Sequence, residues 1–227
     1  MSRTFTDELH DAARPIWDAQ LAHPFVTGIG DGTLPESTFS RWVVQDYGYL
    51  KEFARIFAWA VAKAQRLEAM GWYAKVLDLT LNTEMELHRR YAQRFGIATG
   101  ELESAEMWPT TRAYTDFLVR TAADGDMADL LAALLPCAWG YVDIGQELAR
   151  RPPPEDERYR DWIEQYASEE FAGAAAWLRG ELDRLADGSS EEKRARLRHL
   201  FLLSSRYELR FWDMCLEGER WEGGTDK

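Results

Sequence analysis

Apolar residues recur at intervals of three and four along most of this chain, the spacing that lines one face of an α-helix. The pattern predicts a first helix over residues 6–22, with Thr6 as its N-cap and Pro15 as a point of kinking. His23-Pro24-Phe25-Val26-Thr27-Gly28-Ile29-Gly30-Asp31-Gly32-Thr33-Leu34-Pro35 follows, and three glycines within five residues predict a loop with tight turns. Pro35-Glu36-Ser37 then opens a long helix running to about residue 66. Further helices are predicted over residues 68–95, ended by Gly96, and over 109–122, 127–151, 155–166, 169–186 and 190–219. Asp124-Gly125-Asp126 reads as a stop and a new start, and Pro152-Pro153-Pro154 as a break. Ser190-Glu191-Glu192-Lys193 has the cap and acidic first turn of a helix start. No alternation bounded by hairpin turns suggests a strand, and no fixed-period repeat or low-complexity linker divides the chain. The prediction is one all-α domain over residues 1–222, a bundle of about eight helices, with 223–227 as a flexible tail.

At 227 residues and 26.2 kDa, the chain can bury a sizeable core without staples. Its 27 Lys and Arg against 39 Asp and Glu give a net charge of −12. That balance argues against nucleic acid, whose phosphates call for a basic face, and against docking on an anionic membrane. Cys137 and Cys215 stand far apart and form no disulfide framework, which suggests a reduced, cytoplasmic protein. The polar N-terminal residues carry acids where a signal peptide has an apolar run. The longest mostly apolar stretch, residues 127–142, is too short to span a bilayer and reads as a buried helix. Ten Trp, nine Tyr and ten Phe exclude disorder. They fit a flat-walled pocket, although rings also fill ordinary cores.

Candidate chemistry comes from ionisable groups on apolar stripes, because burying a lone charge costs several kcal/mol. On the second predicted helix Trp42, Asp46, Tyr49 and Phe53 share a face, and on the last Phe201, Ser204, Glu208, Phe211 and Cys215 do so. On the helix from residue 127, Leu130, Ala133, Cys137, Tyr141 and Ile144 line up, and Pro136 bends the chain beside the thiol. Singly, each has a plain structural reading. Cys137 reads as a small buried hydrophobe, Asp46 as an acid paired with an arginine, and Glu208 as an acid near Arg206 and Arg210. Together, a thiol and two carboxylates facing inward with aromatic neighbours favour a site. Periodicity places each group on its own helix face and leaves open whether the faces converge.

Glu84 and His88 stand one turn apart, a metal-ligand spacing. A dinuclear carboxylate bundle needs a second Glu/His pair, and His10, His23 and His199 complete none, so His88 is read as packed and hydrogen-bonded to Glu84. No metal is expected. The residue 28–32 segment lacks the Lys-Ser/Thr of a phosphate loop.

His23-Pro24-Phe25-Val26 with Gly28-Ile29-Gly30-Asp31-Gly32-Thr33-Leu34-Pro35 resembles the N-terminal signature of the TenA family, thiaminase II. Gln45-Asp46-Tyr47-Gly48-Tyr49-Leu50 and Glu84-Met85-Glu86-Leu87-His88 resemble later family motifs. Leu134-Leu135-Pro136-Cys137-Ala138-Trp139-Gly140-Tyr141 resembles the nucleophile segment, and residues 204–212 resemble the C-terminal acid segment. The matches run in order from about residue 20 to 221.

The resemblance implies a haem-oxygenase-like fold without haem, no cofactor, and a homotetramer. It implies hydrolysis of a small-molecule aminopyrimidine, thiamine or the aminomethylpyrimidine left by its breakdown, at the 5-methylene. The product, hydroxymethylpyrimidine, is salvaged for thiamine synthesis. By position, Cys137 would be the nucleophile and would place the chain in the cysteine-containing subgroup. Glu208 would protonate the ring nitrogen, Asp46 would accept hydrogen bonds from the amino-pyrimidine edge, and Tyr49 would favour the thiolate. Tyr114, Tyr141 and Tyr166 would wall the pocket. Ala138 and Gly140 are smaller than the residues expected beside the nucleophile, Asp143 replaces a common Glu, and Arg206 a common aromatic. These departures bear on substrate preference. The competing readings are a haem-oxygenase-like relative of the cofactor-free oxidase type and a non-catalytic pyrimidine-binding or regulatory protein. The few histidines count against the first, and the joint presence of Cys137, Glu208 and Asp46 counts against the second.

Overall fold

Helix boundaries in this chain follow from which side chains can satisfy exposed backbone N–H groups. The computed structural model describes residues 3–222. Among the described residues the fold is all-α, with no strand. The elements are α1 (Phe5–Leu21), α2 (Pro24–Gly30), α3 (Glu36–Lys63), α4 (Leu67–Leu79), a π-helical turn (Thr80–Glu84), α5 (Met85–Arg94) and α6 (Thr99–Ser104). After them come α7 (Pro109–Asp124), α8 (Met127–Ala149), α9 (Glu157–Ala167), α10 (Glu169–Ala186) and α11 (Glu191–Glu217). That is eleven α-helices among the described residues rather than about eight.

The differences have local causes. α1 is capped by Thr4, not Thr6. Thr4 and Asp7 form a reciprocal capping box, while Thr6 donates from its backbone N and its Oγ1 to Asp183 of α10, at 2.7 and 2.9 Å. The expected loop at 23–35 contains α2. His23 caps it by accepting from the Phe25 N–H at 3.1 Å, and Pro24 occupies the first turn. Two of its glycines serve close packing, not turning. A Cβ on Gly30 would lie 2.7 Å from Leu148 Cδ2, and one on Gly28 3.1 Å from Leu34 Cβ. Only Gly32 of the three, at φ +70°, needs the left-handed conformation. The rod expected over 68–95 is α4 and α5 joined by the π-helical turn, where Met85 N–H reaches back to Thr80 O. α6 carried too few apolar positions to register as a period. Elsewhere the expected signals operate. Asp126 and Asp129 exchange side-chain-to-backbone bonds at the start of α8, and Ser190 caps α11 through the Lys193 N–H.

Contacts group the chain into two compact units. One comprises the residues up to Leu34 with Leu131–Asp213, the other Pro35–Leu130 with the residues from Met214 on. The first packs α1 against α10 and sets Leu9, Ala13, Trp17, Leu178 and Leu182 in its core. In the second, α3 packs against α4, α5 and α7. Among the described residues one helix, Met127–Ala149, is long and apolar enough to cross a membrane by length and composition, yet 78% of its apolar window is buried within the protein. The tail expected to be flexible, 223–227, lies outside the described residues.

Candidate active site

In the unit that contains α3, the helical spacing of Trp42, Asp46, Tyr49 and Phe53 does put all four on one face. Trp42, Asp46 and Tyr49 are buried and Phe53 partly so. Asp46 does not pair with an arginine. Its Oδ2 lies 2.7 Å from Nε2 of His88 on α5, and both groups are buried. The other ring nitrogen, Nδ1, donates to the backbone carbonyl of Glu84 at 3.0 Å. His88 is thus packed as expected, but against the Glu84 main chain and the Asp46 carboxylate. The Trp42 ring stands 5.5 Å from the His88 ring.

This corner perturbs titration. Burial pushes the Glu84 carboxyl up to about 7, with His88 opposing and Asp46 reinforcing, although Glu84 as a whole residue is only half-buried. Burial would pull His88 down, but the hydrogen bond to Asp46, the charges of Asp46 and Glu84 and the Glu84 carbonyl together hold it above its ordinary value. Cys215, fully buried, has its thiol pushed well up by burial and then by Asp46, against a smaller effect of Arg41. That thiol is a packing group.

Tyr49, expected to favour the thiolate, packs on Tyr114 of α7, an expected pocket wall, at 5.4 Å between ring centroids. Gln45 fixes α7 beside them. Its Oε1 accepts from Trp108 N–H at 2.9 Å and from Thr111 Oγ1 at 2.7 Å, and its Nε2 donates to Glu106 O at 3.1 Å. Sequence reasoning did not single out Gln45. A buried amide one residue before Asp46 was the available signal.

In the other unit, α8 presents the thiol. From Ala128 to Val142 every residue is buried except Cys137, which is partly exposed. Neither Cys137 nor Cys215 is in a disulfide. Partial exposure is what a reacting thiol needs and what a packing thiol lacks. Tyr141, one turn beyond Cys137, packs on Tyr166 of α9 at 4.8 Å and on Trp212 of α11 at 5.3 Å. Trp162 and Phe25 complete the ring cluster. Glu208, one turn before Trp212, is 3% exposed, whereas Arg206 and Arg210 are exposed. The arginines beside it in sequence therefore lie on the solvent face. Asp143 faces His10 Nε2 at 3.5 Å. Gly145 gives Tyr166 its place, since a Cβ there would come within 2.6 Å of the Tyr166 carbonyl carbon. Among the described residues no group of three His, Cys, Asp or Glu side chains is arranged to hold a metal ion.

Taken unit by unit, one holds the buried Asp46 with the packed pair Tyr49 and Tyr114, and the other holds the partly exposed Cys137, the buried Glu208 and the packed pair Tyr141 and Tyr166. The chain is 45% identical over 219 residues to the aminopyrimidine aminohydrolase of Halalkalibacterium halodurans, covering 96% of this chain and 98% of that protein. It superposes on a TenA homologue from P. horikoshii OT3 with a TM-score of 0.86 at 30% identity, covering 95% and 99% of the two chains. A Shewanella denitrificans domain described as having a haem-oxygenase-like fold shares the architecture at a TM-score of 0.68 and 14% identity, over 93% of this chain and 91% of that one. Residues 10–218 match the TENA/THI-4/PQQC family, and the chain belongs to it.

Proposed function

We propose that this protein hydrolyses 4-amino-2-methylpyrimidines at the 5-methylene, taking thiamine or its aminomethylpyrimidine breakdown product to hydroxymethylpyrimidine in thiamine salvage. Similarity over nearly the full length of both chains to a protein named for that activity supports the reading. The observation that carries its chemistry is Cys137, the one partly exposed residue in the buried run from Ala128 to Val142.

In the proposed reaction the Cys137 thiolate adds to the pyrimidine ring, and Glu208 gives a proton to the ring nitrogen that receives the electron pair. The pair returns to expel the leaving group from the 5-methylene, as ammonia from the aminomethyl compound or as the thiazole from thiamine. Water adds at the methylene, the nitrogen returns its proton, and loss of the thiolate restores the aromatic ring. Asp46 accepts from the amino-pyrimidine edge, Tyr49 favours the thiolate, and Tyr114, Tyr141 and Tyr166 stack on the ring. The assembly proposed is a cytoplasmic homotetramer. Leu67 at 83% exposure and the exposed Trp59 and Leu81 supply apolar surface for association.

The test is a product assay with thiamine and the aminomethylpyrimidine side by side. Cys137→Ser is expected to lose nearly all hydrolysis of both while folding normally. Full activity in that variant rules out the covalent route. Absence of hydroxymethylpyrimidine from either substrate with the parent protein overturns the function.

A further inference from the structure

His88 has a hydrogen-bonding arrangement that fixes its proton count. The Glu84 carbonyl can only accept, so the Nδ1 atom 3.0 Å away carries a hydrogen. In a neutral ring Nε2 would then present a lone pair. A lone pair and a carboxylate repel, yet Nε2 and Asp46 Oδ2 lie 2.7 Å apart, the length of a charge-assisted bond. A second proton must therefore lie on the line between them. Both residues are buried, His88 1% and Asp46 7% exposed, and burial strengthens a hydrogen bond between them. The groups around it favour the ring as owner of that proton, since Glu84 and Asp46 both hold the imidazole above its ordinary pKa. Trp42, one turn before Asp46, backs the ring at 5.5 Å.

We propose that His88 is a positioning residue of the aminopyrimidine site: a buried imidazolium, anchored on the Glu84 carbonyl, that holds the Asp46 carboxylate charged and in one rotamer. The proposal rests on the reading that Asp46 receives the substrate. An ionised carboxylate is acceptor-only. With Oδ2 committed to His88, the acceptors offered to a ligand are Oδ1 and the second lone pair of Oδ2. That pattern suits an aminopyrimidine edge, whose exocyclic amine donates and whose neighbouring ring nitrogen donates when protonated. It rejects an edge that presents two acceptors, such as a 4-oxo analogue in its N3-deprotonated form. Asp46 without its partner would be free to rotate, and the recognition edge would be lost.

Histidine-selective 15N labelling tests the proton count directly in the parent protein. Both ring nitrogens of His88 are expected to be N–H at pH 7. A single N–H overturns the proposal, whether the second proton is missing or sits on Asp46. Binding of the product hydroxymethylpyrimidine then tests the role. His88→Leu is expected to weaken binding by roughly 10–100-fold, the effect of removing a hydrogen bond to a charged group. His88→Gln, which keeps a donor for Asp46, is expected to recover most of the loss. In an Asp46→Asn background His88→Leu should change binding by less than about threefold, because His88 acts through Asp46. If Asp46→Asn binds and turns over like the parent, the role of Asp46 itself is wrong. If Asp46→Asn fails but a folded His88→Leu behaves like the parent, the proposal alone is wrong. Should His88→Leu not fold, the labelled parent and His88→Gln still decide.

Discussion

Gly140 and Gly145 lie on the same helix, α8, five residues apart, and replacing each by alanine should move stability in opposite directions. At about 100° per residue they face roughly 140° apart, so they meet different neighbours. An added Cβ at Gly140 has only Gln20 Oε1 nearby, at 4.0 Å, an ordinary contact. Gly140→Ala therefore gains helix propensity and loses unfolded-state entropy without strain, about 0.5–1 kcal/mol. At Gly145 the same Cβ would meet the Tyr166 carbonyl carbon at 2.6 Å, the Ala167 nitrogen at 2.7 Å and Tyr166 Cβ at 2.9 Å. Two of these are backbone atoms, which have no rotamer to escape into, so the end of α9 must move by about 1 Å to restore normal contact. Overpacking of this kind costs typically 1–3 kcal/mol, of which helix propensity returns up to about 1. The expected net loss is about 1–2 kcal/mol. For a chain of this size that is roughly 2–8 °C off the melting temperature, against a rise of roughly 1–4 °C for Gly140→Ala. Differential scanning calorimetry of both variants reads this directly. Because the movement carries Tyr166 away from Tyr141, Gly145→Ala should also lose turnover at a temperature where it is fully folded. Equal melting temperatures, or a more stable Gly145→Ala, would refute the close-approach argument.

Three further outcomes are expected. Gln45→Leu should cost about 2–4 kcal/mol in urea denaturation, because it strands the Trp108 N–H and leaves the Thr111 hydroxyl only the weak acceptor Met214 Sδ, and a loss below 1 kcal/mol would show that the amide is not a clamp. Glu84, raised from 4.5 to about 7 in the fold by burial, binds more protons folded than unfolded between those values, so its contribution to stability is lost as pH rises through that window. The loss is on the order of 2 kcal/mol after discounting for the partial exposure of the residue, and Glu84→Gln should flatten that part of the stability–pH curve; an unchanged slope would reject the assignment. Glu208→Gln should cut kcat far more than it weakens ligand binding, and equal losses in both would make Glu208 a binding group instead of the proton donor.

How far the chain could be read without coordinates depended on the range of the force involved. Glu169–Ala186 was legible to the residue, because Ser168 and the two acids after it announce the start and the apolar period sets the length. α2 was not, because Gly28 and Gly30 carry the signature of a turn, and only Leu34 and Leu148, remote or round a corner, show that they serve packing. The π-helical turn was hidden for a related reason. One extra residue in a helical ring shifts the apolar stripe by about 100°, which a short window cannot distinguish from a broad stripe. Among site residues, the faces of Asp46 and Glu208 were legible from spacing alone. The partner of Asp46 was not, because His88 lies 42 positions away and the nearer Glu84 offered a plausible local partner.

That error shows where protonation is decided. His23 and His88 both pair through Nε2 with an aspartate, Asp213 at 3.2 Å and Asp46 at 2.7 Å, and a sequence reader would treat them alike. The difference lies at the other nitrogen. Nδ1 of His23 accepts from the Phe25 N–H at the head of α2, so it carries no proton, and a single hydrogen on Nε2 satisfies Asp213 in a neutral ring. Nδ1 of His88 faces a carbonyl within a helix and must donate, so the bond to Asp46 requires a second hydrogen. Two main-chain groups of opposite polarity, an N–H at a helix start and a C=O inside a helix, thus set two histidine–aspartate pairs one proton apart. His23 is the internal control for His88 in the same labelled sample: if both rings carry the same number of protons at neutral pH, backbone polarity does not set the protonation state here, and the charged form of the Asp46 pair loses its cause.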